Sequence, residues 1–184
     1  MRATRIEGYI YLVGFALCIP AANWLIGHAG AVCPSNSPCL IPVAPYIMAP
    51  SGVPMVGLAL ILRDLVQRRL GAGWAIGAIL AGAGLSAWLA PPALVVASGL
   101  AFLLSEFADF AVYTPLQRKR LVLAVVASGL VGLLIDSLLF LQLAFCNLDY
   151  LARQIIGKAW VILISIPIIW WLRSWDQRRG VSAV

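Results

Sequence analysis

Arg63, Asp64, Glu106, Asp109, Asp136 and Lys158 all fall within long apolar stretches of the chain. An ionisable side chain at the centre of a membrane helix costs roughly 2.5–3.5 kcal/mol on insertion scales, so such residues face a bundle interior or a watery cavity and mark a functional site by default. Glu106 and Asp109 are three apart and project from one helical face about a turn from each other. At 1.5 Å of rise per residue, Glu106 lies roughly 12 Å from the cytoplasmic end of its helix, with Asp109 shallower. Asp136 stands roughly 22 Å up the next helix and Lys158 comes to nearly the same depth, so the two are placed to pair. That pair either holds a ligand or neutralises itself between helices. Arg63 or the Arg118–Arg120 run is placed to reach Asp109, whereas Glu106 has no cation at its own depth. An unpaired buried carboxylate must be protonated or met by a ligand's donors, which makes Glu106 the first candidate for binding. Arg63-Asp64 reads as a cytoplasmic gate or as an interfacial pair. Asn23 and Gln142 supply amides: a bond between helices is expected for Gln142, and either that or a ligand contact for Asn23.

The elements that carry these residues follow from hydropathy and breakers. Helices are expected over residues 7–27, 49–69, 72–90, 93–114, 121–145 and 150–173. Gly71, the Ala90-Pro91-Pro92 corner, the Gln117–Arg120 run and the Asn147-Leu148-Asp149 turn separate them. The proline-rich stretch 28–50 is the one long loop, and its 40–48 part is expected to fold back onto the bundle. The first apolar stretch is too long for a signal-peptide core and reads as a retained helix. Placing the N-terminus inside puts eleven of the thirteen Lys and Arg residues on the cytoplasmic side, leaving only Arg153 and Lys158. The expected fold is therefore all-α: a polytopic membrane bundle of six transmembrane helices, one domain over residues 1–184, both termini cytoplasmic. Trp170, Trp171 and Trp175 beside Arg173 suit an aromatic belt at the inner leaflet. Gly73, Gly77 and Ala81 share one face at spacing four, which serves either static packing within the bundle or a sliding or homo-oligomeric contact.

Composition agrees. Of 184 residues 62% are hydrophobic and 11% charged, and mean hydropathy is +0.97, against about 45–50% apolar and about 25% charged in soluble domains. The net charge of +6 is spread in short clusters between apolar stretches, which is the pattern of cytoplasmic loops rather than a nucleic-acid surface. His28 is the only histidine and no Cys-x-x-Cys pair occurs, so no metal set is expected. No nucleophile–base pair and no Walker-type loop is present, so neither enzymatic chemistry nor a cofactor is expected. Cys33 and Cys39 flank a short loop on the outer side, where they form a disulfide or remain two surface thiols. Cys18 and Cys146 read as small apolar fillers.

Several segments resemble the queuosine precursor transporter family, also called the vitamin uptake transporter family. They are Ser51-Gly52 leading through Arg63-Asp64 to Gly71; Ser105-Glu106-Phe107-Ala108-Asp109; Ile135-Asp136-Ser137-Leu138-Leu139-Phe140; and Gly157-Lys158 with Pro167 nine residues beyond Lys158. Asn23 stands where that family often carries Asn. Ser137 replaces the usual Thr, and the residues after Asp109 and around Gln67-Arg68 depart from the common pattern. The resemblance implies import of 7-cyano-7-deazaguanine, its aminomethyl derivative or queuine across a bacterial inner membrane. It implies Glu106, Asp109, Asp136, Lys158 and Asn23 as the substrate-binding set, with a deazaguanine base and the lipid bilayer as partners. A carboxylate would accept from N1–H and the exocyclic amine, and Asn23 or Lys158 would donate to O6. Phe102, Phe107, Phe110, Phe140 and Trp160 are the available aromatic faces. The alternative reading is the substrate-binding subunit of an energy-coupling-factor importer for a vitamin-like molecule.

Overall fold

The computed structural model describes residues 2–34 and 38–180, with the backbone alone for residues 2 and 3. Helices run over Arg2–His28 (α1), Val53–Leu70 (α2), Ala72–Leu89 (α3), Val95–Leu116 (α4), Leu121–Phe145 (α5) and Leu151–Arg179 (α6), with a short 3₁₀ turn at Pro92–Leu94 before α4. Five of them, α1, α3, α4 (counted with its leading turn), α5 and α6, are long and apolar enough to cross a membrane. The exception is α2, whose 18 residues include Arg63, Asp64, Arg68 and Arg69.

The same helix is the most enclosed of the six. It packs on α1, α3, α4, α5 and α6, and Arg63, Asp64, Gln67, Arg68 and Arg69 are all buried. The apolar helices thus form a sleeve whose outer side chains suit lipid, and the charged helix occupies the middle, where its polar groups find partners within the protein. The core around α2 is apolar above and below the charges: Phe15, Cys18, Ile19, Ala59, Ala78 and Phe102 form one cluster, and Ile61, Leu65, Tyr113, Val125, Ile169 and Leu172 belong to another.

The segment expected as a loop carries a hairpin. Strands Leu40–Ala44 (β1) and Ile47–Pro50 (β2) pair antiparallel through a turn at Pro45-Tyr46, where Tyr46 takes φ 61° and is wholly exposed. Trp160 Nε1 donates to the Val43 carbonyl at 2.7 Å, so the hairpin lies against α6. A disulfide joins Cys33 and Cys39, and the Cys39 N–H donates to Ile26 O at the end of α1. Residues 35–37 of that small ring lie outside the described residues, as do residues 1 and 181–184, on which part of the terminal placement rests.

Several boundaries move. Because residues 47–50 belong to β2, α2 starts at Val53 rather than 49. α6 continues past 173 to Arg179 because Asp176 is held by Arg68 and Arg69. Cys146 is not a buried filler; it is exposed, in a left-handed conformation that ends α5. Gln142 is exposed rather than bonded between helices. The small-residue face of α3 is not used for packing within the bundle: Gly73, Gly77 and Ala81 border a surface groove of about 540 Å³ with Leu12, Leu70 and Trp74, and a methyl group on Gly73 or Gly77 would meet nothing.

Candidate functional site

The central charge cluster is built around Arg63. Its Nε donates to Glu106 Oε2 at 2.9 Å, Nη1 lies 2.7 Å from Asp64 Oδ1, and Nη2 lies 2.5 Å from Asp109 Oδ1. The guanidinium also reaches the Glu106 carbonyl and Gln67 Oε1, and its carbon stands 5.9 Å from the Phe110 ring centre. Only the planar five-donor fork of arginine can address three carboxylates at once. Glu106 is therefore not unpaired, contrary to the sequence reading. Depth along one helix placed Arg63 near the cytoplasmic end, but burial of α2 turns its long side chain inward and across to α4.

The supporting residues follow from helix periodicity. Gln67, one turn after Arg63, donates through Nε2 to Thr114 Oγ1 at 2.9 Å. From α5 the Ser128 hydroxyl donates to Asp64 Oδ2 at 3.0 Å. Gly132 lets α5 approach, since a Cβ there would come within 2.9 Å of Leu60 Cδ2 and 3.1 Å of the Asp109 Cβ.

A second cluster joins α5 to α6. Lys158 Nζ donates to Asp136 Oδ2 at 2.5 Å, Ser137 Oγ at 2.8 Å and Gln154 Oε1 at 3.2 Å. Lys158 is buried, while the Asp136 side chain keeps 15% of its surface exposed. Gly157 beside it lets α6 reach the start of α2, because a Cβ would lie 2.7 Å from Val53 Cγ1. The Asp136 charge acts weakly on Glu106, and among the described residues no hydrogen bond or ion pair joins the two clusters. Each of these carboxylates has one oxygen, Glu106 Oε1 and Asp136 Oδ1, with no donor among the described residues.

Asn23 is not brought to either cluster by a hydrogen bond; its Nδ2 donates to Ile19 O of its own helix at 3.0 Å. Of the aromatic residues, Phe102 is buried against Phe15 and Gly82, and Phe107 and Trp160 are exposed. Ser128 and Gln154 are polar partners that the sequence reading did not name, and Ser137 and Gln67 were named there only within the family motifs, without a role. Spacing of four from Arg63 and Lys158 marked both glutamines; the serines carried no such signal.

A third ionic set closes the end where α1 begins and α2 and α6 finish. Asp176 accepts from Arg68 at 2.8 Å and from Arg69 at 2.6 Å, and Glu7 lies 3.0 Å from Arg69 and 2.8 Å from Arg179. Among the described residues no group of His, Cys, Asp and Glu is placed to hold a metal ion.

A helical sleeve of membrane-crossing length around a buried ionic core defines a multi-pass membrane protein. Residues 85–172 match the family model described as "Putative vitamin uptake transporter", and this match bears out the vitamin uptake transporter family recognised in the helix motifs. Just under half of the chain thus resembles a transporter family, within a protein whose helices are of membrane-crossing length. The matched stretch holds Glu106, Asp109, Asp136 and Lys158, and lies beyond Asn23, Arg63 and Asp64. No curated protein and no solved structure matches the chain.

Proposed function

We propose that this chain imports a queuosine precursor, a 7-deazaguanine base, across the bacterial cytoplasmic membrane, crossing it six times with both termini inside. The observation that carries the reading is the pair of carboxylates at adjoining clusters, each with one oxygen engaged by a protein cation and the other without a protein donor. A deazaguanine presents N1–H and an exocyclic amine side by side, a double donor that suits such oxygens, and an O6 that needs a donor. Glu106 accepts from the base, Lys158 gives up its 3.2 Å bond to Gln154 Oε1 to donate to O6, and Asp136 orients Lys158. Asp109 holds Arg63 in place beside Glu106. Asn23, bonded within α1, lies outside the contact set.

A substrate that competes for Glu106 draws it from Arg63, and the freed guanidinium then rests on Asp64 and Asp109. Exchange of partners within the cluster is a means of joining substrate binding to a shift of α2 against α4. Sixfold crossing rests on α2: its charges are enclosed by the sleeve, so lipid never meets them.

The test is salvage. In cells lacking their own precursor synthesis and uptake, expression of this chain with nanomolar deazaguanine restores queuosine to transfer RNA. Glu106→Gln, which keeps a hydrogen-bond acceptor for Arg63, lowers that restoration at least tenfold with unchanged membrane abundance. Absence of restoration with all three precursors, from a folded protein, overturns the substrate assignment.

A further inference from the structure

The central cluster contains more acid than base. Asp64, Glu106 and Asp109 surround one guanidinium, and all four side chains are at most 2% exposed. The neighbouring cations are committed elsewhere, Arg68 to Asp176 and Lys158 to Asp136. Asp64 and Asp109 meet the two ends of the same guanidinium, at 2.7 Å from Nη1 and 2.5 Å from Nη2, and two carboxyls gathered so closely disfavour ionisation of both. Among the described residues Asp109 Oδ2 has no hydrogen-bond partner, while Asp64 Oδ1 and Asp109 Oδ1 face only the shared Arg63.

A second observation lies along α4. Tyr113 and Gln117 follow Asp109 at intervals of four and so continue its face toward the end of the helix. Their side chains are buried, and the Tyr113 hydroxyl and Gln117 Oε1 have no hydrogen-bond partner. Tyr113 is within electrostatic range of Asp64 and Asp109. Beyond Gln117 come Arg118, Lys119 and Arg120, all exposed. Orphaned polar atoms are costly in an apolar interior, and here they form a file from the acid pair to the cytoplasmic end of α4.

We propose that Asp64 and Asp109 form a proton-binding site that discharges to the cytoplasm past Tyr113 and Gln117, and that its proton accompanies the substrate inward. The coupling rests on the carrier reading above; the proton site does not. Only O–H bonds form and break: the proton leaves the acid pair through a water that bridges to the Tyr113 hydroxyl, which takes a proton from that water as it hands its own toward Gln117, and both carboxylates remain facing Arg63. The charged and titratable groups around the pair are Arg63 and Arg68 from α2, Glu106 and Tyr113 from α4, Asp136 from α5, and Asp176 and Lys158 from α6, all but Tyr113 ion-paired as described. α5 contributes the Ser128 hydroxyl.

Infrared spectroscopy of the full chain in liposomes tests the site without a substrate. A protonated-carboxyl band present near neutral pH, and lost in both Asp64→Asn and Asp109→Asn, is expected. Persistence of that band in both variants, its absence from the unaltered protein, or its removal by sodium at constant pH overturns the site. Uptake of deazaguanine into the same liposomes tests the coupling. With an acidic exterior one pH unit below the interior, one proton per substrate supports about tenfold accumulation. Asp109→Asn abolishes accumulation, and Tyr113→Phe slows it while keeping the infrared band. Uptake that merely equilibrates, indifferent to the gradient, overturns the coupling. No uptake of any deazaguanine beside an intact band overturns the substrate reading and, with it, the coupling, and leaves the proton site standing.

Discussion

Arg63 is the residue on which the buried charges depend. Removing one partner from a buried ionic group leaves the others uncompensated and costs about 3–5 kcal/mol. Arg63→Met leaves Asp64, Glu106 and Asp109 without their shared cation, so its melting temperature in detergent falls sharply and its yield drops. Arg63→Lys recovers only part, because a point-like ammonium cannot match three directions of a guanidinium fork. An Arg63→Met protein that melts with the unaltered chain would remove Arg63 from this role. Gly132 tests the packing beside it. The added methyl of Gly132→Ala would lie 2.9 Å from Leu60 Cδ2 and 3.1 Å from Asp109, and overpacking of this kind costs about 1–3 kcal/mol. The melting temperature decreases, since α5 must back away from the carboxylates.

At the level of the element, α6 and α2 lock each other. The last turns of α6 hold few buried apolar residues beyond Leu172, so their order depends on Asp176 between Arg68 and Arg69. Asp176→Asn leaves two buried arginines with a weaker partner. Backbone amides after Leu172 then exchange hydrogen at least tenfold faster, while those around Lys158 are unaffected. Equal protection in the variant would show that the final turns are held by other contacts. The helix periodicity and loop composition did foretell most helix limits. They missed the hairpin, because prolines at 42, 45 and 50 argue against strands; a two-stranded ribbon survives there since it is all edge and leans on α6 through Trp160.

For the whole molecule, orientation is the testable quantity, and its cysteines report it. Cys146 is exposed at the end of α5, Cys18 is buried, and Cys33 and Cys39 are bonded to each other. A membrane-impermeant maleimide added outside intact cells labels Cys146. In a Cys146→Ser background, Lys119→Cys is labelled only after the cells are opened. The reverse pattern inverts the topology; labelling of both from outside defeats the six-span arrangement. The three ionic layers share this frame, with Asp136–Lys158 joining α5 to α6, Arg63 joining α2 to α4, and Asp176 and Glu7 joining the ends of α1, α2 and α6.

Hydropathy and the positions of Lys and Arg were enough, read along the chain, to give a helical membrane bundle, because water and lipid act on each residue through its own transfer free energy. Equal depth was enough to foresee the contact of Asp136 with Lys158, since rise per residue is nearly constant in a helix. Depth says nothing of which way a helix is turned or what stands opposite. The enclosure of α2, the three carboxylates around Arg63, the pairing of Glu106 and the opening of the α3 glycine face are set by how six helices pack laterally. Those contacts join residues dozens of positions apart, and only the assembled bundle, where each buried charge must find a partner, decides among them.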